Sequence, residues 1–133
     1  MTELELIEEA KIARTRTYSP YSKFGVGAAI LLKDGTVIHG CNIENASFGL
    51  TCCAERNAMF SLISSGHDYH DIVMMAIVAN TEKPVSPCGA CRQVLSEFLK
   101  PDTKIILANL NDDYKVTNLK ELLPYAFEEL ENV

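Results

Sequence analysis

"SPCGACRQ", residues 86–93, places two cysteines three positions apart directly after a proline. Ser86 fits a helix N-cap and Pro87 the first helical position, so a helix is predicted from here to about Leu99. Positions three apart share one helical face, which lets the sulfurs of Cys88 and Cys91 reach one ion. A second cysteine-bearing helix start lies upstream in "TCCAER", residues 51–56, with Thr51 as its predicted cap. Between the two stands "IVMMAIVA", residues 72–79, and after the second stands "KIILAN", residues 104–109. The first is a continuous apolar run and the second has an apolar centre between Lys104 and Asn109, and both read as buried strands. The centre of the chain therefore reads helix, strand, helix, strand.

Outward from this centre the elements continue. Thr2 and Glu5 fit a capping box, and Leu6, Ile7, Ala10 and Ala13 recur at helical spacing, which predicts an amphipathic helix over 3–16. "TYSPYSKFG", 17–25, is a turn-rich loop. "VGAAILL" (26–32) and "TVIHGCN" (36–42) flank Asp34-Gly35, a hairpin signal. The helix after Thr51 has the apolar stripe Ala54, Ala58, Met59, Leu62 and Ile63, and Gly66 ends it. A short strand is expected at Lys115 to Thr117, and two short helices over 118–131. The order predicts one α/β domain over residues 1–133. It is a three-layer α/β/α sandwich with a mixed central sheet, because the hairpin argues against a fully parallel one.

Twelve basic and eighteen acidic residues leave a net charge of -6 in a chain of 133 residues. No Lys/Arg cluster exists to hold a phosphate backbone, so nucleic acid is not expected as a partner. No apolar run approaches the ~20 residues that span a membrane. Thr2 to Arg16 is charged throughout, unlike a secretory leader. Five cysteines are an odd number, so reduced thiols in the cytoplasm are expected, serving metal binding or catalysis rather than disulfides.

Three readings of Cys88 and Cys91 compete. A redox pair of the thioredoxin type belongs early in a βαβ unit, whereas this pair is late. A closed structural zinc site needs a fourth ligand, and His39, His67 and His70 show no ligand spacing, while Cys52 points away from its neighbour Cys53. With Cys53 as third ligand, zinc keeps one open position, the mark of a catalytic site. Both segments sit at helix N-termini, which favour the thiolate that binds metal. Cys41 and Cys52 read as core cysteines. Glu55 alone would be a first-turn carboxylate favoured by the helix dipole. Cys53-Ala54-Glu55 followed by Pro87-Cys88-x-x-Cys91 is instead the order found in zinc deaminases, whose Glu is the acid/base and not a ligand.

At this point the chain resembles the small, homotetrameric, zinc-dependent cytidine deaminases. The resemblance rests on "YSPYSKFGVGAA" (18–29), "GCNIENASFG" (40–49), "CAER" (53–56), "PCGACRQVLSEF" (87–98) and "ELLPYAF" (121–127), which cover nearly the whole chain in order. It implies hydrolytic deamination of cytidine and 2'-deoxycytidine with release of ammonia, in pyrimidine nucleoside salvage. One Zn²⁺ per subunit would sit on Cys53, Cys88 and Cys91, with Glu55 moving the protons. The carboxyl pKa of Glu55 is expected above its ordinary value, raised by enclosure.

The resemblance also places a small nucleoside substrate. Asn42 and Glu44, two apart at a strand end, share a face and would grip the ribose hydroxyls. Otherwise they are a polar strand end entering a turn. Ile43 would contribute only its backbone, Phe24 would pack on the pyrimidine, and the Ala54 backbone would meet the base edge. Ala46, Phe48 and Phe127 match positions that reach a neighbouring subunit's pocket. Phe48 is a departure, since many relatives carry Tyr there. Arg56 is expected to hydrogen-bond a thiolate and withdraw charge from the metal, with Arg92 a second candidate donor. Tyr18, Tyr21 and Tyr125 suggest packing only.

Relatives acting on blasticidin-type antibiotics, nucleotides or nucleic acid are the enzymatic alternatives. "CAE" rather than "HAE" and the acidic balance point away from phosphorylated substrates. Outside enzymes, the alternative is a zinc-stabilised binding module, which has no use for Glu55 beside an open coordination position.

Overall fold

A tight turn at Asp34-Gly35 starts the sheet. Gly35 takes a φ of 90°, in the left-handed region open to glycine. Its N–H donates to the Leu32 carbonyl at 3.0 Å, and the Asp34 carboxylate accepts the Thr36 N–H at 2.9 Å. The hairpin strands are β1 (Val26–Leu32) and β2 (Val37–Cys41). The structure, a computed structural model, describes residues 1–128. Its other elements are α1 (Glu3–Arg14), α2 (Ala54–Ser64), β3 (Ile72–Ala79), α3 (Gly89–Phe98), β4 (Lys104–Asn109), β5 (Tyr114–Thr117) and the single turn α4 (Leu119–Leu122).

The five strands lie in the order β2-β1-β3-β4-β5. β1 runs antiparallel to both β2 and β3, β3 and β4 are parallel, and β5 is antiparallel to β4. The sheet is mixed, as the hairpin predicts. Alternate residues of one strand feed two cores. Leu6, Ile7 and Ala10 of α1 cover Ala29, Leu31, Met74, Ala76, Val78, Ile106 and Ala108 on one face. Ala54, Ala58, Met59 and Leu62 of α2, with Leu95 of α3, cover Ala28, Ile30, Met75, Ile77, Ile105 and Leu107 on the other. Burial on both faces is why β1, β3 and β4 carry unbroken apolar runs. Each large aliphatic side chain so buried contributes about 1.5–3 kcal/mol.

Two glycines let the helices approach the sheet. A Cβ on Gly27 would lie 2.0 Å from the Ala10 carbonyl oxygen of α1. A Cβ on Gly40 would lie 2.4 Å from the Ala58 nitrogen and 2.5 Å from the Ala54 oxygen of α2. No side chain fits either gap.

Several boundaries differ from expectation, each for a local reason. The capping box forms, with the Glu5 N–H on Thr2 Oγ1 and the Thr2 N–H on Glu5 Oε1. However, α1 ends at Arg14 rather than Arg16, where the chain tightens as the Arg16 N–H reaches the Ala13 carbonyl. Thr51 does not cap α2. Its hydroxyl accepts the Asn45 N–H, Cys52 pairs with Ile43, and the extended Cys53 is the N-cap. Ser86 does not cap α3, because its hydroxyl accepts from Arg92, and Cys88 takes the cap. Ile63 is 40% exposed and so lies off the buried stripe. Of the two helices expected over 118–131, α4 forms and residues 123–128 are irregular, while 129–131 lie outside the described residues. No helix among the described residues is long and apolar enough to cross a membrane.

Gly40→Ala should destabilise the protein by about 3 kcal/mol, since the added methyl must lift α2 from β2. Urea unfolding of the variant against the parent chain measures this.

Candidate metal centre

α2 and α3 each begin at a cysteine, and the two starts meet. The sulfurs of Cys53, Cys88 and Cys91 all lie within 4.8 Å of one another. Cys53 Sγ is 4.0 Å from Cys88 Sγ, and Cys88 Sγ is 3.3 Å from Cys91 Sγ. Tetrahedral zinc with Zn–S bonds of about 2.3 Å needs sulfurs about 3.8 Å apart. The observed separations bracket that value. All five cysteines are free thiols.

The electrostatics of Cys53 and Cys91 also suit a metal. The Cys53 thiol is lowered to about 5 by a hydrogen bond from Cys91 and by Arg56, whose Nη2 lies 3.4 Å from Cys53 Sγ. Cys91 is pushed well up, because it shares its proton with Cys53, is buried, and faces Glu55. Cys53 is thus biased towards the thiolate that a divalent ion binds, and Cys91 towards the thiol, whose proton metal binding would release. The donor set, its spacing and the adjacent guanidinium fit zinc.

Glu55 stands in the first turn of α2, next to the cluster, and is only 4% exposed. Burial raises its carboxyl pKa, with the nearby Cys53 thiolate adding to the shift. A buried carboxyl with a raised pKa beside the sulfurs is the kind of group that a general acid/base requires.

A cavity of about 250 Å³ opens beside these groups. Cys53, Cys88, Ala54 and Glu55 line it, together with Phe24, Asn42 and Glu44. The polar wall is tied into the loop at 17–26. Asn42 Oδ1 accepts the Val26 N–H at 2.8 Å and the Thr17 hydroxyl, and its Nδ2 donates to the Phe24 carbonyl at 2.8 Å. Glu44 Oε1 accepts the N–H groups of Tyr21 and Ser22 at 3.0 and 3.1 Å, and Oε2 accepts the Ser22 hydroxyl. The Ser22 hydroxyl and these backbone donors hold the Glu44 carboxyl below its usual range.

The whole chain was compared with known families at this point in its geometry. A family model described as "Cytidine and deoxycytidylate deaminase zinc-binding region" matches residues 1–108. The chain belongs to this family. A protein named cytidine deaminase from Halalkalibacterium halodurans is 57% identical over 122 residues, covering 92% of this chain and 91% of that protein. A blasticidin-S deaminase from Bacillus cereus is 35% identical over 131 residues, covering 94% and 91%. The crystal structure of a cytidine deaminase from Burkholderia pseudomallei superposes with a TM-score of 0.92 at 50% identity, covering 96% of this chain and all of that one. The expected three-layer fold is therefore the one this family adopts.

In the deaminase chain, most residues singled out from the sequence converge on the cavity. Ile43 does not line it. Its side chain is 44% exposed, and its N–H and carbonyl both pair with Cys52 at 3.0 Å. Arg92 does not reach a sulfur, contrary to the expectation of a second thiolate donor. Its guanidinium instead donates to the carbonyls of Pro87 and Leu122 and to the Ser86 hydroxyl. Ala46, Phe48 and Phe127 are exposed, outside the cavity of their own chain, with Phe48 75% and Phe127 60% exposed. Ser22, Thr51, Val85 and Ser86 line the cavity without having been singled out. Ser22 was legible only as the residue two before Phe24 in a turn-rich loop.

Arg56→Gln should lower zinc affinity about 10-fold or more, because the charged donor to Cys53 is lost. Competition with a chromophoric chelator reads this directly, and unchanged affinity would remove the role given to Arg56.

Proposed function

We propose that the chain catalyses zinc-dependent hydrolytic deamination of cytidine and 2'-deoxycytidine to uridine and 2'-deoxyuridine, releasing ammonia, in pyrimidine nucleoside salvage. The observation that carries this reading is the buried carboxylate of Glu55 lining one cavity with two members of a three-sulfur cluster. Cys53, Cys88 and Cys91 hold one zinc ion per subunit. Zinc so held supplies Lewis acidity, which makes a nucleophile of water near neutral pH.

The protein's own contribution is proton movement and placement. Glu55 takes a proton from the attacking water, passes it to ring N3 of the pyrimidine, and carries a second to the departing amino group. A C4–O bond forms, the C4–N bond breaks, and one water is consumed for each ammonia released. Burial shifts the Glu55 carboxyl upward, the direction that suits a group asked to accept and donate a proton in one turnover. Phe24 packs on the base and the Ala54 backbone meets its edge. Asn42 and Glu44 take the ribose hydroxyls from a wall already fixed by the loop. Ile43 supports that wall through its backbone pairing with Cys52. Arg56 withdraws charge from Cys53.

A cavity open to solvent on a chain of this size gains enclosure from further copies. The exposed Ala46, Phe48 and Phe127 cross to a neighbour's cavity in a homotetramer, where aromatic stacking by Phe48 survives without a tyrosine hydroxyl. The enzyme works in the cytoplasm, where free thiols stay reduced.

Zinc-loaded protein should convert cytidine, followed as loss of cytosine absorbance and gain of ammonia. Glu55→Gln should retain zinc and lower turnover about 10²–10⁴-fold. A zinc-loaded parent chain that leaves cytidine unchanged would overturn the reading in favour of a binding module. Sedimentation should show tetramers, and fully active monomers would remove the shared pocket.

A further inference from the structure

The two ligand-bearing helix starts share a brace. Cys53 and Cys88 are both N-caps, and the residue four places on donates its backbone N–H to the cap carbonyl at 3.0 Å. Those residues are Asn57 and Arg92, and so far this is ordinary helix geometry. Their side chains then fold back on the peptide that enters the ligand. Asn57 Nδ2 donates to the Cys52 carbonyl at 3.3 Å, and Arg92 Nε donates to the Pro87 carbonyl at 2.9 Å. Each brace also ends on a different element. Asn57 Nδ2 donates to the carbonyl of Cys41, the last residue of β2, at 2.8 Å. Arg92 Nη1 donates to the carbonyl of Leu122, the last residue of α4, at 2.8 Å, while Nη2 reaches Ser86 Oγ at 2.8 Å.

We propose that Asn57 and Arg92 are paired positioning residues that hold Cys53 and Cys88 at metal-binding separation before the metal arrives. Neither side chain donates to a sulfur, so their action runs through the backbone. The peptide plane before a cysteine directs its Cα–Cβ bond and hence its sulfur. Rotating the 52–53 peptide breaks the Asn57 bond, and rotating the 87–88 peptide breaks the Arg92 bond. Because Asn57 also holds the peptide entering Asn42, it links the metal cluster to the polar wall of the cavity. Arg92 links the cluster to the C-terminal segment. A site ordered in advance loses less freedom on binding its ligand.

This inference rests on the zinc reading of the site, and its test separates the two. Asn57→Ala and Arg92→Gln are titrated with zinc against a chromophoric chelator beside the parent chain. Each should lose about tenfold or more in zinc affinity, the size typical of partners one shell out from a metal. Arg92→Lys should behave like Arg92→Gln, because one ammonium cannot span three acceptors arranged for a fork. Cobalt-loaded variants should show shifted or weakened visible bands against the parent's tetrahedral thiolate spectrum. Parent-like zinc affinity with an unchanged cobalt spectrum would overturn the proposal, even if the metal-free variants melt earlier, since that pattern is merely structural support. Should Asn57→Ala not fold, Asn57→Ser, which retains a single donor, is read in its place by the same criteria. A parent chain that takes up no zinc would instead remove the metal reading, and this inference with it.

Discussion

The site depends on two helix N-termini brought sulfur to sulfur beside the end of β3. Cys53 and Cys88 could not otherwise stand 4.0 Å apart, because they belong to helices separated by a strand. The sheet makes this possible. β1 and β3 are neighbours, α2 lies on the hairpin side of that pair, and α3 returns the chain to β4 alongside β3. The absence of a side chain at Gly40 seats α2 against β2. Each helix then presents the positive end of its dipole to the sulfurs, which favours their anionic form.

Within one turn of α2, burial and charge divide the work between neighbouring side chains. Glu55 points inward, and the loss of solvent raises its pKa. Arg56 is half-buried, and its contact with Cys53 strengthens its hold on its proton. A carboxylate that titrates and a guanidinium that does not thus flank one thiolate. In the proposed reaction the first would exchange protons, while the second supplies a fixed positive charge. Exchanging their positions along the helix would lose both functions, since successive residues on a helix point about 100° apart.

Much of this was legible in the sequence. β1 and β3 begin and end where their apolar runs do, and β4 adds one polar residue at each end of its own, because a strand buried on both faces is apolar through its centre. The Cys88–Cys91 pair was legible from its local helical spacing, while Cys53 and Glu55, 35 and 33 residues upstream of Cys88, were placed with it by the order of the motifs, and the three sulfurs do converge. The capping box of α1 was legible as well, whereas the caps of α2 and α3 were not. Thr51 and Ser86 have suitable hydroxyls, but Asn45 and Arg92, each six residues away, donate to them instead. Arg92 was misread for the same reason, since adjacency to Cys91 says nothing of carbonyls supplied by α4 and the preceding loop. Ile63 satisfies helical spacing, yet it stays 40% exposed. Residue type and spacing were readable, whereas which of several nearby groups wins a given hydrogen bond was settled by the folded backbone.

The anchoring of Asn42 and Glu44 limits what the cavity can recognise. A carboxylate offers about four lone-pair sites, and the amide of an asparagine two N–H groups. Glu44 already accepts three hydrogen bonds from the loop, and Asn42 donates one of its N–H groups to Phe24. The remaining capacity amounts to a single acceptor direction and a single donor direction. Both are aimed in advance by a loop that is itself held by the same two side chains. A guest must conform to that fixed pair, so selectivity at this wall resides in the stereochemistry of the visitor's hydroxyls rather than in any adjustment by the host.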